Sequence, residues 1–148
     1  NLLKNDYSNL KLVILGEGPL RKELVVKISD LNLANKVFLP GRVSNVLTYF
    51  NSARACVVSS RIEGFPNVLL EMMSQNTNVI STSCAGGIED IKGVSIAEIN
   101  NVISLANVIE KTLKQNLVAN RNIFDNNLAE RSIEKFIQKI ELHLNTHE

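Results

Sequence analysis

Apolar residues in this chain follow two alternating rhythms. KLVILG (Lys11–Gly16) is a continuous apolar run closed by glycine, and GPLRKELVVKISDLN after it repeats Leu20, Leu24, Ile28 and Leu31 at helical spacing. The pair predicts a strand and then a helix with Pro19 in its first turn, where a missing N–H costs nothing. KVFLPG (Lys36–Gly41) reads as a second strand, and SNVLTYFNSA (Ser44–Ala53) as a helix capped by Ser44 or Asn45. ACVVSS (Ala55–Ser60) reads as a third strand, with a helix starting near Pro66. NVIST (Asn78–Thr82) is a fourth strand running into a CAGG turn, and GVSIAE (Gly93–Glu98) is a weaker fifth. From Asn100 onward the pattern is helical: NNVISLANVIEKTLKQN, a break over 116–122, then one last helix, NNLAERSIEKFIQKIELHL.

Strands this apolar do not alternate in and out. Together with the helices between them they predict a parallel sheet covered on both faces, a doubly wound, Rossmann-like α/β fold. Such sheets bind ligands beyond the carboxyl ends of their strands. The loops there are Gly16–Pro19, Gly41–Ser44, Ser60–Pro66 and Thr82–Gly87.

The bulk properties narrow the class. A chain of 148 residues, 45% apolar and 21% charged, has the length and composition for one globular domain with a core. A net charge of +1 argues against general nucleic-acid binding, which needs a basic surface. Cys56 and Cys84 lie in or just after apolar runs and read as reduced core thiols, which favours the cytosol. No apolar run approaches the roughly 18–20 residues of a membrane span, and no signal-peptide pattern is present. The sequence opens on Asn1, so it is expected to be a piece of a longer protein.

The loops carry the candidate chemistry. Gly16 and Gly18 after the first strand make half of a dinucleotide fingerprint, but Arg21 stands where its third glycine would fall. The pair reads as a tight turn or as a place where a ligand approaches the backbone. Arg42 after the second strand is either a phosphate or base contact or a solvated charge. In EGFPNVLLE two glutamates, Glu63 and Glu71, stand eight positions apart around a Gly-Phe-Pro turn. Glu63 precedes a helix N-terminus whose amides at Gly64, Phe65, Asn67 and Val68 suit an anion, Pro66 having none. It is either a helix-start acid or a ligand contact. Glu71 sits among Val68, Leu69, Leu70, Met72 and Met73, so the run leaves little polar face. An ionised carboxylate buried alone is costly, so Glu71 is expected to face a ligand groove or to pair with a base. A helical rise of 1.5 Å per residue puts the two acids about 10 Å apart. That suits the two ends of one long polar ligand and is too far for a shared proton; an inverting-hydrolase pair needs roughly 6.5–9.5 Å, a spacing that distance alone does not separate from this one.

Other arrangements are weaker. His143 and His147 have metal-ligand spacing on a helix but lack a third ligand. Ser59 and Ser60 have no nearby His–Asp partners for a nucleophile. There is no P-loop lysine motif. KFIQKIELHL (Lys135–Leu144) reads as an amphipathic packed helix.

From about Leu10 to Ile91 the chain resembles the C-terminal, donor-binding domain of retaining glycosyltransferases of family 4, which have the GT-B fold. The resemblance rests on LVILGEGPLRKEL, on VFLPGRVSNVLTYFNSARACVVSSRIEGFPNVLLEMM and on NVISTSCAGGIEDI, with Glu63 and Glu71 as its core. It implies a nucleotide-sugar donor, UDP-linked by the form of EGFPNVLLE, whose hexose or N-acetylhexosamine passes to a polysaccharide or glycolipid acceptor with retention of configuration. Glu63 would be the catalytic residue beside the sugar. Gly64, Phe65, Pro66, Asn67 and Val68 would surround the sugar and diphosphate, and Glu71 would hold the ribose. Gly16, Gly18, Arg42 and Val43 would border the nucleotide and its base. No metal or other cofactor is implied, nor is nucleic acid a partner.

The resemblance also implies missing parts. It reads the chain, 1–148, as a donor-binding domain without its first strand–helix segment and without the N-terminal acceptor domain. The basic residues that neutralise the diphosphate in the family precede the first strand, and neither Lys4 nor Lys11 sits in that motif. Alone, the chain would bind donor weakly and transfer nothing. The whole enzyme would be bacterial and cytoplasmic, at the inner membrane face, and would serve capsule or lipopolysaccharide synthesis. Asn76 and Asn78 stand where the family often has Gly and Pro, and read as tolerated turn changes. Two rival classes remain: another GT-B enzyme such as a UDP-sugar epimerase, which needs further acid–base residues, and a non-enzymic nucleotide-binding or regulatory module. A receiver-type regulator would show an acidic cluster after its first strand, where GEGP has one acid.

Overall fold

The computed structural model describes residues 2–3, 7–115 and 117–145. Eleven elements follow one another: β1 (Leu12–Leu15), α1 (Arg21–Asp30), β2 (Val37–Gly41), α2 (Val46–Ser52), β3 (Cys56–Val58), α3 (Asn67–Gln75), β4 (Val79–Thr82), β5 (Ser95–Ala97), α4 (Val102–Lys114), α5 (Asn120–Ala129) and α6 (Ile133–Asn145). All five strands fall inside the expected runs. The chain divides into two compact units, Asn1–Tyr49 and Phe50–Glu148.

In the first unit β1 and β2 pair in parallel, with Leu12 opposite Val37 and Leu15 opposite Gly41. Gly16 continues the ladder by donating its N–H to the Gly41 carbonyl at 2.8 Å. Leu12 and Val13 remain 50% and 42% exposed, so β1 is not covered on both faces as expected. Among the described residues it is bonded along one edge only. Pro19 lies ahead of α1 rather than in its first turn. On α1, Leu24 and Ile28 are only half-buried.

In the second unit β3, β4 and β5 form a parallel sheet with β4 in the middle. The expected single sheet is thus two parallel ladders among the described residues. β4 is buried throughout, Val79, Ile80 and Ser81 having no exposed surface. Around it Leu69 and Met73 from α3, Ile88 from the loop after β4, and Phe124 from α5 are also fully buried. Each such side chain contributes roughly 1.5–3 kcal/mol by leaving water. Cys56 and Cys84 are buried free thiols.

The C-terminal helices depart from the expected pattern. α5 begins at Asn120, inside the expected break, because the Asn120 side chain donates to the carbonyls of Thr77 and Gly93 at 3.0 and 3.1 Å. The single last helix is two. Ser132 ends the continuity by accepting the Lys135 N–H on its hydroxyl, capping a new helix. Residue His147 lies outside the described residues, as does Lys4. Among the described residues no helix is long and apolar enough to cross a membrane.

Candidate functional site

The site is best defined at the carboxyl ends of β3 and β4. Thr82, the last residue of β4, donates its hydroxyl to the Ser60 carbonyl at 2.6 Å. Two residues beyond the strand, the Cys84 carbonyl accepts the Glu63 N–H at 2.8 Å. Ser60 donates its hydroxyl to Glu63 Oε1 at 2.8 Å. The loops 60–66 and 82–87, picked out separately in the sequence, are therefore bonded to each other. The Glu63 backbone is tied on one side and its carboxylate on the other, while the residue stays exposed.

Past Glu63 the chain runs through Gly64 and Phe65 into α3. Pro66 is the N-cap rather than a residue of the first turn, with φ −76° and ψ 95°. It is buried, and its carbonyl accepts the Leu69 N–H at 2.8 Å. The amides of Asn67 and Val68 precede that first helical bond, so α3 itself offers them no acceptor. Both residues are exposed. An anion there would meet unpaired N–H groups and the positive end of the helix dipole.

Glu71 corrects an expectation. It is exposed, on the face of α3 that also carries Asn67, Val68 and Ser74, whereas Leu69, Met72 and Met73 fill the other face. The helix has a polar stripe after all, because spacing of three and four residues puts Glu71 in line with Asn67 and Ser74. Glu71 needs no buried partner, and burial no longer argues that it must meet a ligand.

One more residue belongs to this neighbourhood without a sequence signal. Arg131, between α5 and α6, holds its guanidinium over the Phe65 ring, 5.3 Å from the centroid. That places a cation against the aromatic of the motif, some 66 positions away in the chain. Asn76, at the end of α3, is buried and donates to the carbonyls of Phe50 and Ala53 at 2.7 and 2.8 Å. Asn78 donates to the Arg54 carbonyl at 2.8 Å. The expected turn changes at these positions are structural ties.

The remaining predicted residues lie in the first unit. Gly16 and Gly41 have φ of 104° and 81°, values that glycine adopts without strain. A Cβ on Gly41 would stand 2.5 Å from Glu17 Oε1. Glu17 pairs with Arg21 at 3.0 Å, and Arg21 also donates to the Leu39 carbonyl at 2.8 Å. The loop of Gly16 and Gly18 thus lies against the one that leads to Arg42 and Val43. Arg42 is exposed and Val43 half-buried. Lys11 holds its ammonium 5.8 Å from the centre of the Phe38 ring.

A recess of about 420 Å³ in the second unit is lined by Arg54, Thr77, Asn78 and Lys114, among others. Arg54, Thr77 and Asn78 precede β3 and β4, and Lys114 is the last residue of α4, at the end opposite to the one where parallel sheets bind ligands. It does not include Glu63.

Residues 1–135 match the family Glycosyl transferases group 1. The chain belongs to that family. It is 42% identical over 85 residues to an uncharacterized glycosyltransferase of Methanocaldococcus jannaschii, covering 57% of this chain and 21% of that one. It is 40% identical over 86 residues to the N-acetylgalactosamine-N,N'-diacetylbacillosaminyl-diphospho-undecaprenol 4-alpha-N-acetylgalactosaminyltransferase of Campylobacter jejuni, covering 58% and 24%. The chain thus spans about a quarter of the length of these relatives. Its fold matches a variant of S. aureus TarM in complex with fondaparinux, alpha-GlcNAc-glycerol and UDP, with a TM-score of 0.81, 23% identity, and 93% and 29% of the two chains covered. HepE of Anabaena in complex with UDP matches with a TM-score of 0.75, 18% identity, and 93% and 41% covered. The fold is the Rossmann-like α/β domain of GT-B glycosyltransferases, Rossmann-like as the strand–helix pattern predicts and of the GT-B kind as the family resemblance implies.

Proposed function

We propose that this chain is the donor-binding part of a retaining glycosyltransferase of family 4. It takes a nucleotide sugar, UDP-linked, from which a hexose or N-acetylhexosamine passes to a polysaccharide or lipid-linked acceptor. The observation that carries this reading is the double tie on Glu63, which fixes an exposed carboxylate at the sheet's ligand end, just ahead of the α3 N-terminus. In this reading Glu63 faces the sugar where positive charge develops as the bond to the diphosphate breaks. The amides of Gly64, Phe65, Asn67 and Val68 and the α3 dipole stabilise the charge gathering on the leaving nucleoside diphosphate. Pro66 shapes the turn that presents them.

Glu71, one helical turn and more past Pro66, accepts hydrogen bonds from the ribose hydroxyls. Gly16, Gly18, Arg42 and Val43 supply contacts to the nucleotide and base. No metal takes part, the phosphate charge being met by amides and by basic residues of the whole protein. The whole enzyme includes an N-terminal acceptor domain and works in the cytoplasm, at the inner face of the membrane. The Campylobacter relative, which by its name acts on an undecaprenol-linked acceptor, supports the lipid-linked alternative.

Calorimetric titration of the chain with UDP and with GDP, both in EDTA, tests the assignment. Binding of UDP, stronger than GDP and weakened in Glu71→Ala, is the expected result. Absence of heat with either nucleotide at millimolar concentration would overturn it.

A further inference from the structure

We infer that Ser60 is a positioning residue: it selects the direction in which the Glu63 carboxylate points. An exposed glutamate has three side-chain torsions and ordinarily samples several staggered states. Glu63 is different because its two ends are held from different strands. Its N–H is fixed by the Cys84 carbonyl beyond β4, and its Oε1 accepts the Ser60 hydroxyl beyond β3, both at 2.8 Å.

Ser60 is itself anchored. The Thr82 hydroxyl donates to its carbonyl at 2.6 Å, and Thr82 is 4% exposed at the end of the central strand. The chain of contacts runs from the buried sheet to Thr82, to the Ser60 backbone, to the Ser60 hydroxyl, to the carboxylate. With Oε1 occupied by Ser60, Oε2 is the oxygen left to meet a ligand. A hydrogen bond to an ionised acceptor is among the stronger kinds, so one hydroxyl suffices to bias the rotamer. Serine at this position therefore acts through Glu63 and has no need to touch the donor.

This inference rests on the reading of Glu63 as the sugar-facing carboxylate, and its test is arranged to separate the two. Three-bond couplings across the Glu63 side chain, measured on the full chain without ligand, report its rotamers. Wild type should show one dominant rotamer. Ser60→Ala should show averaged couplings, and Ser60→Thr, which keeps the hydroxyl, should restore the dominant state. Thr82→Val, which removes the anchor without emptying its space, should shift the couplings in the same direction as Ser60→Ala. Identical couplings in wild type and Ser60→Ala would overturn the inference.

Titration with UDP and with UDP-N-acetylgalactosamine adds the functional arm. Ser60→Ala should leave UDP affinity unchanged and lower UDP-sugar affinity about tenfold, the size of one net hydrogen bond. An equal loss for both ligands would also overturn it. If wild type binds neither ligand, the donor assignment fails, and the coupling measurement still decides whether Ser60 orients Glu63.

Discussion

The Asn76 side-chain oxygen accepts the backbone N–H of Asn78 at 2.8 Å, closing the turn between α3 and β4 from inside. The amide of the same side chain holds two carbonyls, those of Phe50 and Ala53, at the end of α2. One buried residue thus fastens a helix end, a turn and a second helix end.

Asn76→Gly, which installs the residue often found in the family, is expected to destabilise the fold by about 2 kcal/mol or more. It removes three hydrogen bonds and takes the side-chain donor from the Ala53 carbonyl, while the Phe50 carbonyl keeps the Ala53 N–H. Urea unfolding followed by circular dichroism measures the change. A midpoint equal to wild type would show that water replaces the side chain at no cost.

Glu71→Ala should separate binding from stability. The residue is exposed on α3, so its loss should change unfolding free energy by no more than about 0.5 kcal/mol. UDP affinity should nevertheless fall, by roughly tenfold for one hydrogen-bonded contact. Parallel thermal melts and calorimetry give both numbers. A variant that melts much earlier than wild type contradicts the exposed placement.

Gly93→Ala should be among the most damaging single changes. Gly93 has φ of 90°, where a side chain is strained, and a Cβ would stand 2.8 Å from Phe124 Cε1. Phe124 is fully buried on α5 and has no room to give way. A loss of about 2–4 kcal/mol follows from strain and overpacking together. A melting temperature within a degree or so of wild type would be inconsistent with this packing, since 1 kcal/mol moves a domain of this size by about 2–4 °C.

Burial pushes the Cys56 thiol up to about 11 from 9.0. The raised value belongs to the folded state, so the unfolded chain loses its proton first as pH rises. The contribution is intact below pH 9 and is lost as pH climbs toward 11, by roughly 3 kcal/mol at full extent. The stability difference between pH 8 and pH 10.5 should therefore be larger for wild type than for Cys56→Ala. Equal differences would mean that the thiol ionises alike in both states. At neutral pH the same burial predicts slow alkylation of Cys56 in the folded chain.

The order of strands and helices is legible in the sequence because each is written locally, as an apolar run or a helical repeat. The glutamate motif is legible too, through its Gly-Phe-Pro turn. What stays hidden depends on partners far along the chain. Asn120 starts α5 where a break is expected, because Thr77 and Gly93 offer it carbonyls. Arg131 reaches Phe65 across 66 positions. Glu71 looks stranded in an apolar run until the helix turns it, with Asn67 and Ser74, toward solvent. Leu12 and Val13 read as core and are exposed, since an apolar run does not state how many neighbours its strand has.

The bond from the Glu63 N–H to the Cys84 carbonyl is made wholly by main chain. Whatever residue stands at 84 supplies the same oxygen, so exchanging side chains there leaves the tie intact. A change in the length of the loop after β4 moves that oxygen and re-aims the acid on the neighbouring loop. Relatives that differ by a residue or two between Thr82 and Ile88 would therefore present a differently angled carboxylate while spelling the glutamate motif identically. Variation in this part of the molecule is to be sought in insertions and deletions before it is sought in substitutions.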